Sequence, residues 1–274
     1  RASVIGDTPS INILSKISLL GRLTKFMHKE VAEENEQAIF VNSFYQFAKT
    51  NEQYKGCWKD GMRYGKGEQY WPDNSVYQGY WKDDMRDGEG RYIAADGSIF
   101  EGNWKEDKFT GQGKLKKPDG TIYQGGWTEG KRNGFGIETR KDGSKYEGQY
   151  RMDLKHGTGK QTYVDQSVYQ GYFENDMASG IGQLEWPDGR IYKGDWKDNK
   201  MHGKGEFTWG DGRKYLGEYA DDMKHGDGEF HWADNRKYKG KFIFNQMHGE
   251  GEFTLVTGEV RKGLWDHGLR IRWL

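Results

Sequence analysis

The chain has 274 residues, 34 % of them hydrophobic and 31 % charged, with 41 glycines, 4 prolines and no net charge. So little aliphatic content excludes a thick Leu/Ile/Val core, and the charge balance argues against a protein that tracks nucleic acid through its phosphates. No apolar run reaches the ~18–20 residues that cross a bilayer as a helix. The apolar content lies instead in 17 tyrosines, 13 phenylalanines and 11 tryptophans. A single cysteine, Cys57, cannot close an internal disulfide and fits a reducing, intracellular compartment. The sequence opens on Arg1 rather than Met, which leaves a removed targeting segment, including a mitochondrial one, open.

Residues 1–36 form an extension with no repeat. Thr8-Pro9 reads as an N-cap with Pro at the first helical position. On a helix over 13–29, Ile13, Ile17, Leu20, Leu23, Phe26 and Met27 form an apolar arc, with Ser18, Arg22, Lys25 and Lys29 opposite. The helix continues to about residue 36 through Glu30, Glu33, Glu34 and Glu36. Its apolar face has three destinations: its own sheet, a partner protein or a membrane surface. Ile13, Ile17, Leu20, Arg22, Lys25 and Lys29 are the candidate contacts for the last two. Residues 37–53 read as a degenerate capping half-repeat, with a strand over 39–49 and Thr50-Asn51 in the place of a turn pair.

From residue 54 to 260 a 23-residue unit repeats nine times without insertion or deletion. Its first mark is Tyr54, Tyr77, Phe100, Tyr123, Tyr146, Tyr169, Tyr192, Tyr215 and Tyr238. A glycine follows two residues later and an aromatic two after that, as in Tyr192-Lys193-Gly194-Asp195-Trp196. A Gly-x-Gly pair comes next, from Gly65 and Gly67 to Gly249 and Gly251, and an Asp-Gly or Asp-Asn pair usually closes the unit. The period-two alternation predicts one strand, Gly-x-Gly onward a second, and the six residues between them a hairpin loop. Each unit is then one hairpin of an antiparallel meander. Pairing Trp58 with Gly65, Gly56 with Gly67 and Tyr54 with Gln69 puts rings beside bare backbone on one face. At ~9.6 Å per hairpin, nine hairpins predict a twisted rod of roughly 85–90 Å. Residues 261–274 hold a truncated tenth unit with Gly263 and Trp265, and an apolar cap including Leu269, Ile271, Trp273 and Leu274.

Tyr-x-Gly-x-Trp, Gly-x-Gly and Asp-Gly at this spacing resemble the MORN repeat (membrane occupation and recognition nexus) over residues 54–265. The resemblance implies a single-layered, curved antiparallel β-sheet rod. It also implies roles in membrane contacts, in cytoskeletal and ciliary assemblies, or as the regulatory arm of an enzyme. Repeat four departs from the pattern at Glu138, where five other units place Leu or Phe, and repeat five at Gln166, where the turn glycine belongs. The middle repeats are therefore expected to be looser or covered by a partner.

Chemistry finds little support. His156, His202, His225 and His248 share one repeat position, but ~9.6 Å between adjacent repeats is too far for a shared zinc. Asp73, Asp96, Asp119, Asp142, Asp165, Asp188, Asp211 and Asp234 suit turn hydrogen bonding better than catalysis. Gly-x-Gly lacks the helix and Lys-Ser/Thr of a phosphate loop. The expectation is an all-β repeat scaffold with an N-terminal α-helical extension, non-enzymatic, with no cofactor, metal, nucleic acid or small-molecule substrate. Its partners are other protein subunits of a cytoskeletal, ciliary or organellar assembly. Peripheral phospholipid binding and regulation of a separate enzyme chain are the alternatives. The row Trp71, Tyr163, Trp186, Trp209 and Trp232, with Trp273 and Leu274, is the candidate partner surface.

Overall fold

A computed structural model describes residues 38–274, all strand and turn. The helix expected over 13–36, with Ile13, Ile17, Leu20, Arg22, Lys25 and Lys29, lies outside the described residues. The chain divides into two compact units, the first ending at Lys131 and the second beginning at Arg132. The first holds β1 (Ile39–Gln46), β2 (Gln53–Lys59), β3 (Met62–Tyr70), β4 (Val76–Lys82), β5 (Met85–Ile93), β6 (Ile99–Lys105), β7 (Lys108–Lys116) and β8 (Ile122–Thr128). The second starts with β9 (Lys131–Thr139), β10 (Lys145–Arg151), β11 (Leu154–Thr162), β12 (Val168–Glu174), β13 (Met177–Glu185), β14 (Ile191–Lys197) and β15 (Lys200–Thr208). It ends with β16 (Lys214–Ala220), β17 (Met223–His231), β18 (Lys237–Ile243), β19 (Gln246–Thr254), β20 (Val260–Asp266) and β21 (Leu269–Trp273). Within each unit consecutive strands pair antiparallel, giving an open all-β sheet. β1 pairs with β2, with an irregularity between Val41 and Tyr45.

The hairpin loops differ from the expected six residues. Strand pairing runs to Trp58–Arg63 and Lys59–Met62, leaving the two-residue turn Asp60-Gly61. Both turn residues have positive φ, 51° and 78°, which marks a type I′ turn whose twist matches that of the strands. The same geometry recurs at Asp83-Asp84, Asp153 after Met152, Asp198-Asn199 and Phe244-Asn245. Gly56 pairs with Gly67 and Tyr54 with Gln69 as expected, but Trp58 does not pair with Gly65. Gly65 faces Trp81 of the following hairpin, because a bulge intervenes between Gly56 and Trp58. Gly65 sits at φ 73°, a left-handed conformation that glycine adopts without a Cβ penalty.

From Asp83-Asp84 onward the turns are also tied to the hairpin before them. The carboxylate Oδ1 of Asp84 accepts from the N–H of Arg63 at 2.8 Å, while the N–H of Asp84 donates to the Arg63 carbonyl at 3.2 Å. The N–H groups of Arg132, Ala178 and Met201 donate in the same way to Asp153, Asn199 and Asp222 at 2.9, 2.7 and 2.8 Å. The turns joining successive hairpins are of another type. There Asp73, Asp119, Asp188 and Asp234 accept from the N–H two residues on, at 2.9, 2.8, 3.2 and 3.2 Å. Their third loop position is left-handed, and Gln166 occupies it at φ 68°. A non-glycine residue there costs about 1–2 kcal/mol against glycine's entropic cost of about 0.5–1 kcal/mol. Gln166→Gly is therefore expected to raise stability by about 0.5–1 kcal/mol in a denaturant melt.

The core is a ladder of tyrosines. Tyr54, Tyr77, Tyr123, Tyr146, Tyr169, Tyr192, Tyr215 and Tyr238 are at most 1 % exposed. Each ring lies across two facing glycines: a Cβ on Gly205 would stand 2.5 Å from the Tyr192 ring. Each hydroxyl donates to the carbonyl three residues on, as from Tyr192 to Asp195 at 2.9 Å and from Tyr77 to Tyr80 at 3.0 Å. The rings stand edge to face with the aromatic four residues ahead and with its counterpart in the next repeat. Tyr192 meets Trp196 and Tyr219, both with centroids 5.2 Å away. Such pairs add about 0.5–1.5 kcal/mol each to burial. The glycines thus let a single layer bury large rings against its own backbone.

In the third repeat Phe100 breaks this rule, and Phe109 stacks on it at 4.4 Å. In the fourth, Glu138 takes an apolar position and is 7 % exposed. Arg132 and Arg140 neutralise it at 2.5 and 2.9 Å.

Candidate functional site

The sheet has two unlike faces. One carries the tyrosines and, beside the inter-hairpin turns, the predicted aromatic row. In the second unit Trp186 meets Phe207 at 5.5 Å, Trp209 meets Phe230 at 5.6 Å and Trp232 meets Phe253 at 5.5 Å. Trp273 continues the line 6.3 Å from Phe253. Arg190, Arg213 and Arg236 lie over Trp186, Trp209 and Trp232 at 5.1, 5.4 and 5.4 Å. The tryptophans are half-buried, and Tyr163 is 39 % exposed. In the first unit Trp71 packs on Tyr92 at 6.0 Å. The structure thus brings Trp186, Trp209, Trp232 and Trp273 into one line, with a cation over each of the first three. Leu274 lies apart from them, 57 % exposed at the rim of a concavity on the opposite face.

That opposite face holds a feature that the repeat pattern did not single out. In the second unit a groove of about 970 Å³ runs over β9 to β14, with the main chain of Gly159, Gly171 and Gly182 as floor. Phe135, Tyr172 and Ile181 line it and are 59, 41 and 77 % exposed. Gln149, Thr158, Gln170 and Gln183 supply neutral polar groups along it, and Lys160, Lys193 and Glu147 stand among the lining residues. Further along the unit the same face is charged, with Asp227, Glu229, Lys239, Glu252 and Lys262 around a second concavity. A glycine floor admits a close backbone approach, and three exposed apolar side chains lose water when covered. The signal was present in the sequence. Phe135 and Ile181 occupy the middle of Gly-x-Gly, where other repeats place Lys66, Glu89, Gln112, Lys204, Asp227 and Glu250.

The histidines lie in strands rather than in loops, as His156 does within β11 and His202 within β15. Among the described residues no group of His, Cys, Asp or Glu has metal-binding geometry. Burial pushes the Cys57 thiol up, away from thiolate character. Among the described residues no helix is long and apolar enough to cross a membrane.

The family model of the MORN repeat matches nine times, over residues 54–76, 77–99, 100–122, 123–145, 146–168, 169–189, 192–212, 215–235 and 238–260. No curated protein matches the chain. Among solved structures the chain is similar to the TCP10 domain of Danio rerio CPAP in complex with a peptide of Danio rerio STIL. Identity is 13 %, with 77 % of this chain and 94 % of that chain covered and a TM-score of 0.45. It is also similar to the SAS-4 (dCPAP) TCP domain of Drosophila melanogaster in complex with a proline-rich motif of Ana2 (dSTIL). There identity is 16 %, with 57 % and 85 % covered and a TM-score of 0.36. With TM-scores below 0.5, these likenesses carry no argument about this chain's role.

Proposed function

Because the chain belongs to the MORN-repeat family, we propose that it is a non-enzymatic protein-interaction scaffold, a subunit of a larger intracellular assembly such as a cytoskeletal or ciliary one. Its main contact is an extended partner segment laid in the glycine-floored groove of the second unit. The observation that carries this is the exposure of Phe135, Tyr172 and Ile181 together on a face that is charged elsewhere. Exposed apolar side chains gathered in one patch mark interfaces. The floor selects a main chain lying close, and the three side chains select apolar residues along it.

The aromatic row is a second contact surface, favoured by Tyr163, which is 39 % exposed beside the half-buried tryptophans. Trp186, Trp209 and Trp232 already hold cation and ring contacts within the chain, so they gain less by docking than the open groove does. The test is capture of partners from native extract with the whole chain. Ile181→Asp places a charge on an exposed position and leaves the fold intact. It is expected to reduce capture of the principal partner at least tenfold, which corresponds to about 1.4 kcal/mol. Capture at wild-type level would move the contact away from the groove.

A further inference from the structure

The floor of the groove is one line of glycines that crosses the strands. Gly136, Gly148, Gly159, Gly171, Gly182 and Gly194 face one another in turn. The same pairing carries the line on from Gly194 to Gly251. On each side of it runs a row of side chains from the face opposite the tyrosines. The rows stand about 6.6 Å apart, two residues along a strand. An α-helix with its side chains is about 10–12 Å across and too thick for that slot, so the occupant is extended. Equivalent side chains recur every second strand, about 9.6 Å, as Phe135, Thr158 and Ile181 do in the middle of Gly-x-Gly. A polyproline II helix recurs every three residues, about 9.3 Å, so it meets successive hairpins with one face. A β-strand, with a two-residue period of about 6.6 Å, falls out of step.

The two rows differ in chemistry. Phe135, Tyr172 and Ile181 belong to one and pack against side chains. Lys160, Gln170, Gln183 and Lys193 form the other, one on each strand from β11 to β14. All four carry N–H donors. Among the described residues the side chains of Lys160, Gln170 and Lys193 hold no hydrogen bond or ion pair. A polyproline II chain makes no internal hydrogen bonds, so its carbonyls are free to accept from this row. Proline there also removes N–H groups that a lysine cannot accept from.

Where the line crosses β15 to β19, the surroundings turn acidic. Glu206, Glu218, Asp227, Glu229, Glu250 and Glu252 stand against Lys204, Lys239 and Lys262. Among the described residues Glu218 and Glu250 have no cation paired with them. This excess of carboxylate repels phosphates, whether of nucleic acid or of lipid, and attracts Lys or Arg. The four prolines of the sequence, Pro9, Pro72, Pro118 and Pro187, lie far apart, so none of its segments is proline-rich and the occupant is a different chain.

We propose, taking the groove as the partner site, that it holds a proline-rich polyproline II segment of another protein, apolar over β9 to β14 and basic over β15 to β19. From β9 to β19 the line is about 48 Å long at ~4.8 Å per strand, which about 15 residues cover at ~3.1 Å each. The preformed conformation lowers the ordering cost of binding.

The test uses the whole chain and three fluorescent peptides followed by anisotropy. The first has three Leu-Pro-Pro triplets and then two Lys-Pro-Pro triplets. The second has Glu in place of Lys, and the third has Gly in place of every Pro. The wild-type chain is expected to bind the first about tenfold more tightly than either of the others. Ile181→Asp is expected to weaken the first about tenfold, and a Glu218→Lys, Glu250→Lys chain to prefer the second. A wild-type melting temperature for each variant would show that the fold is kept. No binding of the first peptide, equal binding of the proline and glycine peptides, or indifference to the sign of the charge would overturn the proposal. If that happens while capture from extract stays sensitive to Ile181→Asp, the groove remains the partner site and only this occupant falls.

Discussion

Gly205→Ala is expected to cost about 3–5 kcal/mol, the range for removing a large buried aromatic, although it adds one methyl group. The added Cβ would stand 2.5 Å from Cε2 and from the hydroxyl oxygen of Tyr192. The ring has no room to move. It is 0 % exposed, and Trp196 and Tyr219 meet it edge to face on both sides. Alanine therefore expels the ring or shifts the strand, and either loses the core contact of that repeat. Gly249→Ala provides the control. It sits at φ 68° with nothing within 4 Å of an added methyl, so it pays only the left-handed conformation, about 1–2 kcal/mol. Denaturant melts of the two variants compare a filled ring seat with a strained backbone alone. Equal losses would mean that the tyrosine ladder is not what the glycines serve.

The same ladder predicts steep alkaline unfolding. Burial pushes the phenols of Tyr54, Tyr77, Tyr146, Tyr169, Tyr192 and Tyr215 well above their usual value, and that of Tyr238 up to about 12. Folded pKa values raised above the unfolded value mean that only the unfolded chain releases these protons near pH 10. The stabilisation is complete below that pH and is lost as pH rises toward the folded values. Each such tyrosine contributes about 1.4 kcal/mol per pH unit, so seven together approach about 10 kcal/mol per unit. A domain stable by about 5–15 kcal/mol is then expected to unfold within roughly one to two units above pH 10. Tyrosinate absorbance and loss of the β-sheet circular dichroism signal should rise together in one transition. Gradual ionisation with the sheet intact would contradict the burial argument.

How much of this was legible depended on which residues carried the signal. Tyr-x-Gly-x-Trp is period-two with no interruption, so the strand, its ring face and the Gly56–Gly67 and Tyr54–Gln69 pairs followed from spacing alone. The other half of the hairpin was hidden by Gly65. Its positive φ accompanies a bulge that shifts the register by two residues, so that Trp58 pairs with Arg63 instead of Gly65. The loop therefore looked six residues long. The turn pairs Asp60-Gly61, Asp198-Asn199 and Glu129-Gly130 already held the type I′ signal, but Met152 and Phe244 in the same place obscured it. Tying each turn to the hairpin before it stabilises positive φ even for those residues. The aromatic row was legible as a row, but its half-burial under Arg190, Arg213 and Arg236 depends on side-chain placement. The groove was legible only by asking which repeats depart from a polar position, as Phe135 and Ile181 do. That both join Tyr172 on one face follows from the register beyond the bulge.

A photo-cross-linking amino acid placed at Ile181, and in a parallel chain at Trp209, tests most directly which face of the sheet recruits the partner in native extract. The groove assignment predicts one discrete protein adduct from position 181 and little from position 209. Adducts from 209 alone, or no protein adduct from 181, would contradict it.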